Sequence, residues 1–240
     1  MTRYAEECGS ARALWYHAAM RAAWIVETAG RDAPAEILLE ETLVTGAAAD
    51  LFATGYAAWL DGKTEKIQDA ANRLAGRHGV AASGHLCGQT GGYEDTSQQD
   101  LIVSDVLQNS LRALIELAGG RTDAALALLD EATTAEEALP LEFGPPIIVK
   151  PSHELYGDVL LKLGRPEQAW AQYEKALARA PRRSLSLAGL ARAASSLGDS
   201  ATVAKTCAEL ASIRGAADES VSRPVPCGDG VVVGRASQAR

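Results

Sequence analysis

A stretch of about thirty residues, from His153 to Pro181, constrains the fold of this chain more than any other. It reads HELYGDVLLKLGRPEQAWAQYEKALARAP, a pattern that predicts two short helices folded back on each other. Gly164 marks the turn between them, and Pro181 ends the pair. Small residues stand where the helices would touch, at Gly157, Ala169 and Ala176. Such a helical hairpin is the unit of a helical repeat protein.

The rest of the chain is also predicted to be helical. Helices are expected at roughly 11–29, 33–43, 46–60, 64–76, 100–118, 122–139, 184–197 and 200–214. A glycine-rich loop is expected at 77–99, a proline-rich and partly extended link at 140–151, and a disordered tail at 215–240. Because helices of this length are joined by turns and no segment needs a sheet, the sequence predicts an all-α fold.

The helical hairpins recur along the chain. Gly164 and Gly198 are 34 residues apart, as are Tyr173 and Cys207. The segment that begins at Gly120 matches the one at Gly164, with an insertion of about ten residues in the proline-rich link. We therefore divide the chain into degenerate N-terminal helical pairs at 1–76, the glycine-rich loop, and better-formed repeats at 100–214.

These residues resemble the tetratricopeptide repeat family, whose unit is a 34-residue helix–turn–helix. The agreement is best over residues 150–183, and residues 146–179 also look like the C-terminal end of long bacterial repeat proteins. The positions that match the repeat are Gly157, Gly164, Ala169, Tyr173, Ala176 and Pro181, followed by Gly189 and Gly198 in the next unit. The resemblance implies antiparallel helix pairs stacked as an α-solenoid. We expect Gly157 and Ala169 to let two helix backbones approach closely, and Gly189 to do the same in the next unit.

The resemblance also implies a binding groove. In tetratricopeptide arrays the first helix of each pair lines a groove that binds an extended or helical peptide. The corresponding positions are Glu154, Asp158 and Leu161 in one first helix, Ser110, Leu114 and Leu117 in the preceding one, and Ser186 and Leu190 in the next. Because Glu154 and Asp158 share one face and the chain has a formal net charge of −8, we expect the groove to prefer a neutral or basic protein segment. The same charge argues against nucleic acid as a partner.

A second class of function depends on the glycine-rich loop. His78, His85 and Cys87 are side chains that can bind zinc or copper. No CxxC or HExxH pattern supplies further ligands, and no catalytic constellation is visible, so we predict no enzymatic activity, no metal and no cofactor. The leading hypothesis is a non-enzymatic scaffold that binds a protein; the alternative is a small metal- or thiol-dependent module built on this loop.

Compartment signals are few. The N-terminal residues lack a basic cluster followed by an apolar run, and no apolar stretch is long enough to span a membrane. The four cysteines, Cys8, Cys87, Cys207 and Cys227, are scattered, which predicts free thiols and a reducing cytoplasm by default. A periplasmic or secreted protein stays open if the chain is a fragment.

Overall fold

The computed structural model shows a protein whose regular secondary structure, in the residues that it describes, is all helical, as predicted. It describes residues 11–30, 33–35, 43–76, 97–140, 146–214 and residue 227. Within these residues there are nine helices and no strand. The chain divides into two compact units, Met1–Ser152 and His153–Arg240.

The nine helices are distributed over the two units. The first unit contains α1 (Ala11–Thr28), α2 (Val44–Leu60), α3 (Thr64–Gly76), α4 (Gln98–Ala118) and α5 (Thr122–Ala138). The second contains α6 (Ser152–Lys162), which starts at the unit boundary, α7 (Pro166–Arg179), α8 (Ser184–Ser196) and α9 (Ser200–Arg214). In the first unit α1 packs on α2, α2 on α3 and α4, and α4 on α3 and α5; in the second, α8 packs on α7 and on α9.

Four helix pairs are closed by the same turn. The pairs are α2–α3, α4–α5, α6–α7 and α8–α9, and their turn glycines are Gly62, Gly120, Gly164 and Gly198, with φ between 70° and 75°. Glycine adopts this left-handed conformation without the steric cost that a side chain brings. In each turn the residue after the glycine donates its N–H to the carbonyl five residues earlier, at 2.8–2.9 Å, which is the Schellman motif that ends many helices. The helix pairs predicted from the glycine positions are thus confirmed.

Helix α4 begins two residues earlier than predicted because a capping box starts it. Ser97 Oγ accepts a hydrogen bond from the Asp100 N–H at 3.1 Å, and the Ser97 N–H donates to Asp100 Oδ2 at 2.9 Å. This reciprocal pair satisfies two backbone groups at the start of the helix. The sequence signal, Ser-x-x-Asp, lies at the end of the segment that we assigned to the glycine-rich loop.

The helix predicted at 33–43 is wrong at its first turn. Residues 33–35 form no regular secondary structure, and the Pro34 carbonyl accepts a hydrogen bond from Arg21 Nε at 3.0 Å. A side chain of α1 therefore uses a carbonyl that a helix would have used for its own backbone. Residues 36–42 lie outside the described residues.

The same arginine forms a buried ion pair between α1 and α2. Arg21 Nη1 donates to Asp50 Oδ1 at 2.6 Å, and each side chain is only 5% exposed. Removing one partner of such a pair leaves the other charge buried without its counter-charge. The pair therefore specifies how α1 sits on α2.

Glycine at position 55 allows three helices of the first unit to approach one another. A Cβ at Gly55 in α2 would lie 2.5 Å from Cδ2 of Leu111 in α4 and 3.3 Å from Cβ of Ala70 in α3. Leu111 is fully buried and packs directly over the glycine. A side chain at position 55 would force α4 away from α2.

The link before the second unit is anchored to the first unit. Residues 147–150 bend rather than run extended as predicted, and the Val149 N–H donates to the Ile147 carbonyl at 2.9 Å. The buried Lys150 ammonium lies 4.9 Å from the centroid of the Tyr56 ring. The backbone N–H at position 152 donates to Glu136 Oε2 at 2.6 Å. These contacts attach the link to α2 and α5.

The second unit is built around the ring of Tyr173 in α7. This side chain is fully buried. A Cβ at Gly157 in α6 would lie 2.7 Å from its Cζ, and a Cβ at Gly189 in α8 would lie 2.8 Å from Cδ1 and closer still to Cε1 and Cζ. The ring therefore occupies the space between two helix positions that carry no side chain.

This arrangement corrects the role that we predicted for the two glycines. Gly157 makes room for an aromatic ring rather than for a second backbone. Gly189 serves the ring of the preceding helix pair rather than the contact inside its own pair. Ala169 and Ala176 lie buried on the same α7 face as Tyr173.

Candidate partner-binding face

The eight residues predicted to line a groove divide between the two units. Three of them, Ser110, Leu114 and Leu117, belong to α4 in the first unit; the other five belong to α6 and α8 in the second. None of the eight is fully exposed: Glu154, Ser186, Ser110 and Leu114 are buried, and Asp158, Leu161, Leu190 and Leu117 are half-buried. We describe the two sets separately.

Glu154 does not form a rim charge, which corrects the prediction. Its side chain is 0% exposed and lies at the contact between α6 and α8. Arg183 donates from Nε to Glu154 Oε2 at 2.7 Å and from Nη2 to Oε1 at 3.1 Å, and Ser186 Oγ donates to Oε2 at 2.6 Å. A two-point guanidinium contact of this kind neutralises the carboxylate and orients it. Ser186 is therefore a buried partner of Glu154.

Asp158, one helical turn later, makes a second paired site. Tyr173 Oη donates to Asp158 Oδ1 at 2.7 Å, and Arg192 Nη2 donates to the same oxygen at 2.8 Å. The carboxylate is 14% exposed and the arginine side chain 47% exposed, so this pair reaches the surface. Burial raises the pKa of the Tyr173 hydroxyl, and the charge of Asp158 raises it further, which keeps the phenol protonated as a donor.

The two pairings change the electrostatics expected of this stripe. Both acids of α6 are paired with arginines, Arg183 just before α8 and Arg192 within it, so the stripe carries no excess negative charge. Among the predicted residues on α6 and α8, the half-buried apolar side chains are those of Leu161 and Leu190. We call these two residues the α6–α8 face. Arg192 lies two residues after Leu190, which places it on another side of α8, where its guanidinium is partly exposed and paired with Asp158.

The first-unit set lies mostly in the core. Leu114 is 0% exposed and Ser110 is 3% exposed, with its hydroxyl donating to the Val106 carbonyl one turn earlier at 2.8 Å. Only Leu117, near the end of α4, is half-buried. Ser110 and Leu114 therefore pack within the first unit instead of facing solvent.

Charge is distributed unevenly between the two units. Residues 1–152 contain 11 basic and 22 acidic residues, a formal charge of −11, whereas residues 153–240 contain 12 and 9, a formal charge of +3. The net charge of −8 therefore belongs to the first unit. The electrostatic field of the first unit is therefore negative overall, and that of the second is weakly positive.

The metal-site alternative falls outside the described residues, because His78, His85 and Cys87 all lie in the segment 77–96. In the part of the chain that the structure describes, no group of three or more His, Cys, Asp or Glu side chains is placed to hold a metal ion.

The prediction of four free thiols is wrong for two of the cysteines. Cys207 in α9 forms a disulfide with Cys227, with the two Cα atoms 5.6 Å apart. The pair is 20 residues apart in sequence, a spacing that identifies no known framework by itself. Cys8 and Cys87 lie outside the described residues, as does the predicted tail at 215–240 apart from Cys227 itself.

None of the described helices is both long enough and apolar enough to cross a membrane. Neither a family model, nor a curated protein, nor a solved structure matches this chain.

Proposed function

We propose that this chain is a tetratricopeptide-like helical scaffold, without enzymatic activity, that binds a protein partner. The observation that carries the proposal is the insertion of the Tyr173 ring between Gly157 and Gly189. This contact joins the first helix of one pair, the second helix of the same pair and the first helix of the next pair. Stacking of that kind, in which each pair covers the apolar face of its neighbour, is how α-solenoids are built.

The ion pairs support the same architecture. Asp158 and Arg192 are 34 residues apart and bonded to each other, so two successive first helices lie side by side. Glu154 and Ser186, 32 residues apart, repeat the contact one turn earlier. First helices aligned in this way produce the continuous surface on which helical repeat proteins bind extended segments.

The proposed partner is a neutral or basic protein segment. The formal charge of −11 on residues 1–152 attracts a basic chain, and this attraction mainly raises the rate of encounter. On the α6–α8 face, Leu161 and Leu190 are the apolar anchors that we expect to contribute most of the affinity there. Glu154 makes no contribution to recognition, because it is buried and paired.

The test begins with the full-length protein cross-linked in its native host, so that its partner is identified by mass spectrometry. The affinity of the purified partner is then measured for the wild type, for Leu161→Ala with Leu190→Ala, and for a control in which Gln168 and the exposed Ala171 of α7 are changed to serine. We expect the double leucine variant to bind about tenfold more weakly, which is about 1.4 kcal/mol, and the control to bind normally.

Two further measurements accompany the affinities. Melting curves must show that the leucine variant is folded, because half-buried leucines also contribute to packing. The affinity should fall as the salt concentration rises if the partner is basic. Stoichiometric zinc or copper in the purified protein, or a wild type that retains no protein above the background of an unrelated bait, would overturn the scaffold proposal.

A further inference from the structure

The second unit contains a disulfide whose position in the repeat is informative. Cys207 lies 34 residues after Tyr173, at the position in α9 that corresponds to Tyr173 in α7. It is 6% exposed and bonded to Cys227, which is half-buried. The Cα–Cα distance of 5.6 Å is typical of protein disulfides.

The disulfide takes the place of a packing contact. The Tyr173 ring connects its own helix pair to the next one through Gly189. Among the described residues no helix pair follows α9, and a cysteine has no ring to insert. The bond instead attaches residue 227 to α9, at the position that Tyr173 uses in α7 to contact the following helix pair.

We propose that the Cys207–Cys227 disulfide is a permanent covalent closure of the α8–α9 helix pair, and that the protein therefore acquires its mature form in an oxidising compartment. Cytosolic glutathione and thioredoxin keep protein thiols reduced, whereas the periplasm and the exterior of cells allow disulfides to persist. This inference replaces the cytoplasmic location expected from free thiols. It does not depend on the proposed binding function.

The oxidation requires a disulfide donor, either a dithiol–disulfide oxidoreductase or a small-molecule disulfide. A Cys227 thiolate attacks one sulfur of the donor and forms a mixed disulfide, and the second donor sulfur leaves as a thiol. The Cys207 thiolate then attacks the Cys227 sulfur and releases the first donor sulfur. The protein gives up two protons and two electrons, and the donor disulfide becomes two thiols. Cys227 is the entry point because it is the more exposed of the two cysteines.

The first experiment determines the thiol state of the full-length protein in its native host. Cells are separated into cytoplasmic and extracytoplasmic fractions after their thiols have been trapped with acid and alkylated. Trypsin cuts after Lys205, Arg214 and Arg235 but not between Arg223 and Pro224, so the two cysteines fall in peptides 206–214 and 215–235. We expect these peptides to be linked to each other, to separate on reduction, and to come from the extracytoplasmic fraction.

Three results of this experiment would overturn the proposal. They are alkylation of both cysteines in most molecules, linkage of either peptide to Cys8 or Cys87, and recovery of the linked form from the cytoplasm. Cys8 and Cys87 thus act as internal controls for non-specific oxidation in the same digest.

The second experiment measures what the bond contributes to stability. Closing a loop of this size should raise the melting temperature of the second unit by about 10 °C. We expect a reductant to lower the melting temperature of the wild type and of the control variant Cys8→Ser, Cys87→Ser by that amount. The variant Cys207→Ser, Cys227→Ser should melt like the reduced wild type and should not respond to the reductant. Equal melting of all three proteins, with and without reductant, would exclude a structural closure.

Discussion

The packing of Tyr173 predicts that alanine at position 189 destabilises the second unit, although alanine is usually preferred to glycine in a helix. The added Cβ would come within 3 Å of three ring atoms. The ring has little room to move, because Gly157 contacts its other side and its hydroxyl is bonded to Asp158. Overpacking of this kind costs about 1–3 kcal/mol, and the gain in helix propensity offsets about 1 kcal/mol of it. We expect a net loss of up to about 2 kcal/mol.

A double-mutant cycle separates this mechanism from a general effect of mutation. Tyr173→Leu removes the ring atoms Cε1 and Cζ, which the new Cβ would approach most closely. In that background Gly189→Ala should cost nothing or become stabilising, a coupling of about 2 kcal/mol. Gly76→Ala is the matched control, because a Cβ there meets nothing within 4 Å, and its effect should be neutral or stabilising.

The assay is urea unfolding combined with hydrogen exchange measured by mass spectrometry, which distinguishes α6–α8 from the helices of the first unit. The packing argument is refuted if Gly189→Ala leaves exchange in α6–α8 unchanged. It is also refuted if the substitution costs the same in the Tyr173→Leu background, because the ring would then not be the cause.

Three other predictions concern single buried or capping groups. Arg21→Met should cost about 3–5 kcal/mol of unfolding free energy, whereas combining it with Asp50→Leu should recover most of the loss in urea titrations. Ala169→Glu should cost about 3 kcal/mol or more, measured by melting, because the site is 0% exposed; a small effect would mean that this face of α7 is open. Hydrogen bonds from the backbone N–H and then the hydroxyl of Thr202 lower the pKa of Asp199. The stabilisation by this helix cap is therefore present above the unfolded pKa of aspartate and is lost as the pH falls through the lowered folded pKa. Melting curves recorded from neutral to acidic pH should show a smaller loss of stability on acidification for Asp199→Asn than for the wild type.

The helices and their pairing could be predicted because their signals are local. A glycine followed two residues later by a helix start recurs at positions 62, 120, 164 and 198, and each instance forms the same left-handed turn. The error at 33–35 has a non-local cause, since the carbonyl of Pro34 is bonded to a side chain of α1. Arg21 lies 13 residues before Pro34, so the local sequence around position 34 gives no sign of this contact.

The shared helix side of the two α6 acids could be predicted, but their pairing with arginines could not. The positions of Glu154 and Asp158 on one side of α6 followed from helical spacing. Their partners did not, because Arg183 and Arg192 lie 29 and 34 residues later and are recognised only once α6 and α8 are aligned. A search for opposite charges at about one repeat length would have found both pairs.

The residues of helix pair α8–α9 differ from those with which α6–α7 contacts its neighbour. Helix α6 presents two acids to the following first helix, but α8 contains no acidic residue, and Ser186 and Leu190 occupy the positions that correspond to Glu154 and Asp158. The aromatic contact also stops, since Cys207 replaces the tyrosine. Two contacts connect α6–α7 to α8: the acids of α6 pair with Arg183 and Arg192, and the Tyr173 ring packs against Gly189. Helix pair α8–α9 has neither the acids nor the aromatic ring at the corresponding positions. Cys207 stands at the position of Tyr173, and its disulfide to Cys227 holds residue 227 against α9 where α7 instead uses ring packing. The redox state of Cys207 is therefore expected to affect the stability of the α8–α9 pair as well as to report the compartment.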